Sequence, residues 1–362
     1  MTPVIRARID SAALRYNLLT LRARAPRSRL MAVIKANAYG HGLVTVARAL
    51  SDDGRTRGAD AFAVARLEEA QELRAAGIQQ RIVLLEGVCS GDNLAAAARL
   101  RLDLVVHDPS QLPLLAAWRG PGRFDLWVKV DTGMNRLGFR PAQFAAVWAQ
   151  LQAMPEAAAA LRVMTHLANA DLHGDTLTAQ QLRRFAPLAM PGVETSIANS
   201  AALLGEPGTH GDWVRPGLAL YGVSPFAGQN GNQLGLRPAM TFETTVIAVR
   251  EVPAGESVGY GQTWQAIHPT RVATLAAGYA DGLLRSLPSG APVLLGGKRA
   301  PLVGRVSMDM IAVDVSALPD CQVGDRAELW GTHLPVEEVA AAAGTIPYEL
   351  LCALRARVPR TA

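Results

Sequence analysis

Lysine is nearly missing from this 362-residue chain: Lys35, Lys129 and Lys298 are the only lysines among 36 basic residues, and the rest are arginine. Chemistry that needs a side-chain primary amine must use one of these three. Cysteine is just as scarce. Cys89, Cys321 and Cys352 are odd in number and widely spaced, which suits neither a disulfide framework nor a zinc site; they are expected as small buried hydrophobes, with no metal. Long apolar runs are absent too. No window reaches the ~18 apolar residues that cross a bilayer, and the opening MTPVIRARID offers no apolar core of signal-peptide length. A soluble, cytoplasmic protein without a membrane partner is expected. Basic runs interleaved with aromatics are also lacking. The formal charge of +5 comes from arginines scattered through mixed-charge stretches such as Arg66-Leu-Glu-Glu-Ala-Gln-Glu-Leu-Arg74. That pattern predicts a solvated basic surface and no nucleic-acid partner, while still favouring an anionic ligand.

What is present is apolar material: 49% of residues are hydrophobic, enough for one large or two medium domains. Short β-branched runs at 30–34, 61–64, 81–85, 102–106, 125–130, 162–165, 193–197 and 213–219 alternate with helical patterns at 43–50, 67–76, 94–100, 111–118, 143–152 and 177–189. Eight strands alternating with helices predict an α/β fold, a (β/α)8 TIM-type barrel; a doubly wound sheet gives a similar pattern but more usually six strands. After residue 232 the texture changes. Strand-like runs at 240–250, 270–276, 291–295, 301–306, 311–314 and 326–330 are divided by Gly and Pro turns, with one helical stretch at 336–343. The expected organisation is a barrel over 9–232 and a mainly β C-terminal domain over 233–362. The strand-like residues 4–9 either open the barrel or pair back into the β domain.

Active sites of such barrels lie at the C-terminal ends of the strands. In chain order those ends carry Lys35, then Lys129 and Asp131, then His166, then Asn199 and Ser200, then Arg215. Lys35 ends an apolar strand, and its low-dielectric flanks favour the free, nucleophilic amine; a lysine paired with a neighbouring acid is the plainer alternative. The loop after it, Ala36-Asn-Ala-Tyr-Gly-His-Gly42, packs two glycines, a phenol and an imidazole into seven residues. Tyr39 there either donates to a phosphate or is an ordinary loop tyrosine. Lys129 either pairs with Asp131 inside the barrel or positions Arg136, which leaves the strand in a Gly-punctuated loop. Ser200 starts a helix where a hydroxyl and backbone N–H groups suit a phosphate, or it serves as a simple N-cap. Gly217 permits close backbone approach. A lysine nucleophile and a phosphate nest on one rim match the two ends of pyridoxal 5'-phosphate.

The runs Val33-Ile-Lys-Ala-Asn-Ala-Tyr-Gly-His-Gly42, Asp131-Thr-Gly-Met-Asn-Arg-Leu-Gly138, Thr165-His-Leu-Ala-Asn-Ala-Asp171 and Val214-Arg-Pro-Gly-Leu-Ala-Leu-Tyr-Gly222 resemble those of alanine racemases. So do Val258-Gly-Tyr-Gly-Gln262, Gly278-Tyr-Ala-Asp-Gly282 and Gly304-Arg-Val-Ser-Met-Asp309. The resemblance implies a homodimer with shared active sites, alanine as substrate, and a role in D-alanine supply for peptidoglycan or in alanine breakdown. It implies that Lys35 holds pyridoxal 5'-phosphate as a Schiff base, and that Tyr39, Ser200 and the backbone N–H groups of Gly217 and Leu218 hold the phosphate. Arg215 would face the pyridine nitrogen, where an arginine keeps its proton and restrains the ring as an electron sink. Arg136 would contact the phenolic oxygen and substrate carboxylate, and Met308 would offer its backbone N–H to that carboxylate. Tyr260 from the other subunit would be the second base, assisted by His166 hydrogen-bonded to Arg215. Asp171, Tyr279 and Arg285 would line the access corridor. Two positions stand apart. Ala356 occupies a place where many members have tyrosine, which implies a wider pocket mouth, and Lys129 matches a position that some members carry as a carbamate. Three rival functions are a broader-specificity amino-acid racemase, a non-catalytic barrel that only binds the cofactor, and a related decarboxylase. The second would lack the β domain and Tyr260, and the third would be expected to keep an acid where Arg215 stands.

Overall fold

The computed structural model describes residues 4–52, 54, 57–172 and 174–362; residues 1–3, at the start of the N-terminal segment considered above, lie outside them. Strand β1 (Arg6–Ile9) precedes a helix at Ser11–Arg24. Then come β2 (Arg29–Val33), β3 (Ala61–Val64), β4 (Arg81–Leu84), β5 (Leu102–Val106), β6 (Phe124–Lys129), β7 (Ala158–Met164), β8 (Thr195–Ser196) and β9 (Trp213–Val214). Beyond them lie β10 (Met240–Val252), β11 (Thr270–Leu275), β12 (Pro292–Leu295), β13 (Lys298–Val303), β14 (Ile311–Asp314), β15 (Arg326–Trp330) and β16 (Arg360–Thr361).

Strands β2 to β9 form a closed barrel in sequence order, every neighbouring pair parallel, with Arg29 of β2 beside Trp213 of β9 closing the ring. The barrel predicted from alternating strands and helices is the one observed. Strands buried on both faces read as unbroken apolar runs: all of β3 and β5 are buried, including Asp103. The remaining strands form an eight-stranded sheet in the order β11-β14-β13-β12-β15-β10-β1-β16. Strand β10 is thirteen residues long and shifts register at two places, so its first half pairs with β1 and β15 and its second half with β11. Of the two placements open to the N-terminal strand, pairing with this sheet is the observed one. Arg6 lies opposite Glu243 and Ile9 opposite Met240, with Arg6 Nε donating to Glu243 at 2.5 Å.

The chain divides into two compact units, one of Asn17–Ala38 and Leu43–Leu220, the other of Met1–Tyr16, Tyr39–Gly42 and Tyr221–Ala362. The four residues Tyr39–Gly42, in a loop of the barrel sequence, thus belong with the β-rich unit. Two helices were not foreseen from the sequence: Ser11–Arg24, and Pro347–Ala353 near the end. Cysteine burial differs from expectation. Cys321 is buried, but Cys89 and Cys352 are exposed. Cys89 precedes the N-cap Ser90 of a helix, where its thiol meets Asn93 Oδ1 at 3.2 Å. Among the described residues no helix is long and apolar enough to cross a membrane.

Candidate active site

Lys35 follows β2 by two residues and is half-buried. The backbone after it is left-handed. Ala36, Asn37, Ala38 and Tyr39 all have φ near +52°, at 53°, 53°, 52° and 52°. Each such residue costs about 1–2 kcal/mol relative to the right-handed form. The turn is therefore held from outside. Glu69 Oε1 accepts the Ala36 N–H at 2.5 Å, Ile34 O accepts the Ala38 N–H at 2.9 Å, and Asn37 Oδ1 accepts the Leu43 N–H at 2.8 Å. Glu69 was not among the residues expected at the site; in the sequence it reads as one of many helix acids. Strain stored beside a candidate nucleophile is a mark of functional sites.

The rim of the barrel gathers Lys129, His166, Ser200 and Arg215. Arg215 is 5% exposed. It donates to Ser196 Oγ at 2.6 Å, to Thr165 O at 2.7 Å and to Ile197 O at 3.2 Å, and Nη2 lies 3.2 Å from His166 Nδ1. Burial lowers Arg215 to about 10, so it keeps its proton at neutral pH. An arginine can only donate, so His166 Nδ1 accepts and the imidazole proton sits on Nε2. Burial, and then Arg215, Lys129, Arg136 and Lys35, hold His166 well below its ordinary value and hence neutral. Lys129 is brought down to about 8 by burial and by Arg215, Arg136 and Lys35, with Asp131 pulling the other way.

Asp131 forms no ion pair with Lys129, against one of the two readings of the sequence. Its Oδ1 accepts the N–H groups of Gly133 and Asn135 at 2.9 and 3.0 Å, and its Oδ2 lies 3.3 Å from Arg140. The carboxylate shapes the loop that carries Arg136, which is exposed. Ser200 is not the N-cap of its helix; Asn199 is, accepting the Ala202 N–H at 3.0 Å. That frees Ser200 Oγ, which accepts from the N–H groups of Gly217 at 2.9 Å and Ala219 at 3.3 Å and so leaves its O–H to donate. Leu218 is buried beside them, and Asp171 is exposed.

In the other unit, Tyr39 is buried against Tyr221 and Tyr348, with ring centroids 4.9 and 5.8 Å away. Burial, then Tyr348 and Cys352, push its phenol far above the ordinary range, so it stays a hydrogen donor. Gly40 takes φ +78° with no room for a side chain: a Cβ there would lie 2.0 Å from Leu351 O. Three of the motifs singled out above meet here. A Cβ on Gly278 would lie 2.2 Å from Met308 O, and one on Gly304 would lie 2.5 Å from Val258 O. The N–H groups of Tyr279 and Ala280 bond to the carbonyls of Ser307 and Met308 at 3.0 and 2.9 Å. Tyr260 stands on a one-turn 3-10 element, 71% exposed, and Met308 is 53% exposed. Arg285 is exposed and Tyr279 partly so.

A closed parallel barrel with a buried cation and a strained lysine loop at its C-terminal rim defines a (β/α)8-barrel enzyme that handles anionic ligands. The comparisons with known proteins make the class particular. The family models for the N-terminal and C-terminal domains of alanine racemase match residues 9–225 and 239–362. The chain belongs to the alanine racemase family, whose members are pyridoxal-phosphate-dependent isomerases. It is 51% identical to an alanine racemase of Nitrosococcus oceani over 98% of both chains. Its fold matches the crystal structure of the biosynthetic alanine racemase from Pseudomonas aeruginosa with TM-score 0.94, at 48% identity over 99% of both chains. The alanine racemase structure from Streptomyces lavendulae follows at TM-score 0.90 and 40% identity, over 100% of this chain and 97% of that one.

Proposed function

We propose that this chain interconverts L- and D-alanine as a cytoplasmic, biosynthetic homodimer, with Lys35 and the partner subunit's Tyr260 exchanging the Cα proton on opposite faces of the substrate. The observation that carries the reading is the buried Arg215 cation at the barrel rim, its Nη2 3.2 Å from His166 Nδ1. The donor set fits the cofactor: the Ser200 O–H and the protonated Tyr39 phenol suit a phosphate, and a lysine amine stands at the end of β2. When bound, pyridoxal phosphate supplies a conjugated ring that stabilises negative charge at the substrate Cα.

Tyr39, Ser200 and the backbone N–H groups of Gly217 and Leu218 would hold the phosphate. Arg215 would face the ring nitrogen and, as a cation that keeps its own proton, would not give one to it. Arg136 and the Met308 N–H orient the alanine carboxylate, and Asp171, Tyr279 and Arg285 line the approach. The Lys35 amine takes or returns the proton of the D-isomer. The phenol of Tyr260, ordinarily titrating near 10, does the same for the L-isomer. His166, donating from Nε2, assists it.

Borohydride reduction of the holoenzyme followed by peptide mapping is expected to place cofactor on Lys35 alone; cofactor on Lys129 or Lys298 overturns the assignment. Tyr260→Phe is expected to cut L-to-D turnover by about 10²-fold or more while cofactor absorbance stays at the wild-type level. Unchanged turnover in both directions removes Tyr260 from the reaction. Chiral analysis of a panel of L-amino acids separates alanine specificity from a broader racemase.

A further inference from the structure

The helix Thr176–Phe185 carries a polar residue where packing calls for an apolar one: Gln181 is 0% exposed. Its amide is satisfied at both ends. Oε1 accepts the Ala168 N–H at 2.9 Å, and Nε2 donates to His166 O at 2.9 Å and to Thr132 Oγ1 at 3.2 Å. The chain of bonds continues. Thr165 Oγ1 gives its hydrogen to Val130 O at 2.8 Å, so in its 2.8 Å contact with Thr132 it accepts and Thr132 donates. Thr132 thus receives from Gln181 and gives to Thr165. Both threonines are 1% exposed, so water does not compete.

The same helix face supports the loop in two further ways. Arg184 Nη1 donates to Thr132 O at 2.9 Å. Gly133 lies flat on the helix: a Cβ there would stand 3.0 Å from Arg184 Nη1, 3.4 Å from Gln181 Cγ and 3.5 Å from Leu177 Cδ1. Leu177, Gln181 and Arg184 are spaced four and three apart, which puts them on one stripe. The loop that carries Arg136 and the segment that carries His166 therefore meet at a single buried amide.

We propose that Gln181 is a positioning residue for the reaction, holding the Arg136 loop and the His166 segment in one relative register by bonding to Thr132 on one side and to His166 and Ala168 on the other. This rests on the placement of Arg136 and His166 at the reaction site given above. Gln181→Met keeps the volume and removes every bond. Gln181→Glu keeps the shape and the acceptor for Ala168, but turns a carboxylate oxygen toward the His166 carbonyl and the Thr132 hydroxyl. Protonation of the new carboxyl at acid pH restores one donor.

The test is steady-state racemisation by the holoenzymes in both directions across pH. In Gln181→Met the KM for alanine is expected to rise about 10-fold, the scale of one or two buried hydrogen bonds, with a shifted pH profile in the L-to-D direction, where Tyr260 takes the proton. A purely structural role would instead lower the thermal midpoint and the active fraction, with KM and pH profile as in wild type; that result overturns the proposal. Gln181→Glu is expected to recover activity relative to wild type as pH falls, and a flat ratio counts against it. Arg136→Ala should cost less in the Gln181→Met background than in the wild type, because the two act on one element. If Arg136→Ala alone leaves racemisation unchanged, the assignment of Arg136 falls and this inference with it. An unchanged KM in Gln181→Met beside an impaired Arg136→Ala overturns this inference alone. Should Gln181→Met not fold, Thr132→Val keeps the loop's shape, removes the relaying hydroxyl, and is expected to raise KM in the same direction.

Discussion

At the N-terminal end of the barrel, arginines and carboxylates alternate in contact. Arg29 meets Glu194, Glu194 meets Arg162 at 2.6 Å, Arg162 meets Asp125 at 3.2 Å, and Arg81 joins Asp125 to Asp103. The indole N–H groups of Trp213 and Trp127 bond to Glu194 and Asp103 at 2.9 and 3.1 Å. Three cations face three anions. At the C-terminal end, Lys129 feels Arg215, Arg136 and Lys35 against the single Asp131, whose own carboxylate is tied to its loop. One end is neutralised from within the chain, and the other leaves a surplus of positive charge. The ion-pair chain and the proposed ligand site thus lie at opposite ends of one barrel, in line with the general division of labour in this fold.

Removing Arg215 tests the charged rim most severely. Arg215→Met strips a donor from Ser196, Thr165 and Ile197 and frees His166. The expected result is a loss of about 10²-fold or more in kcat/KM for alanine; a value within tenfold of wild type would erase the contrast. At the opposite end, Arg162→Met leaves Asp125 and Glu194 without their shared partner, and is expected to lower unfolding stability by about 2–3 kcal/mol in urea titration. Its kcat should stay at the wild-type value, and a large loss there would mean that the two ends are coupled.

A smaller effect sharpens the same contrast through pH. Burial opposes ionisation of Glu194, but hydrogen bonds from Trp213, Arg29 and Arg162 hold it down at about 2. A carboxylate lowered on folding adds stability above its ordinary value of 4.5, lost as pH falls toward 2. Lys129 runs the other way. Its folded value of about 8 lies below the ordinary 10.5, so the unfolded chain binds more protons in that window and stability rises with pH across it. The urea midpoint of the wild type is expected to gain on that of Lys129→Met between pH 8 and 10, and a constant difference removes Lys129 from the pH dependence.

Much of this was legible in the sequence because barrels advertise themselves. Strands β3, β5 and β14 fall on the residues expected, since buried parallel strands are unbroken apolar runs and the sheet strand is bounded by turns. Strands β8 and β9 are two residues each, shorter than the apolar runs around them. The helix Pro347–Ala353 is too short for its periodicity to stand out, though the proline at its first turn is a start signal. At the site, lysine scarcity and strand ends pointed to Lys35, Lys129, His166 and Arg215. Gln181 and Glu69 stayed hidden because glutamine and glutamate on helices ordinarily face water. The trace of Gln181 was its place on the buried stripe with Thr178 and Phe185.

The left-handed turn after Lys35 carries a last implication, one of handedness in the chain itself. Ala36 is exposed, at φ 53° and ψ 53°, the mirror image of an ordinary helical residue. A glycine there would relieve a steric penalty larger than the cost of the freedom it adds to the unfolded chain. The residue whose backbone prefers that geometry outright is D-alanine, for which right and left exchange roles. The chain thus holds, one residue from the lysine proposed to act on D-alanine, a position where that same enantiomer would suit the backbone better than the one the ribosome placed there.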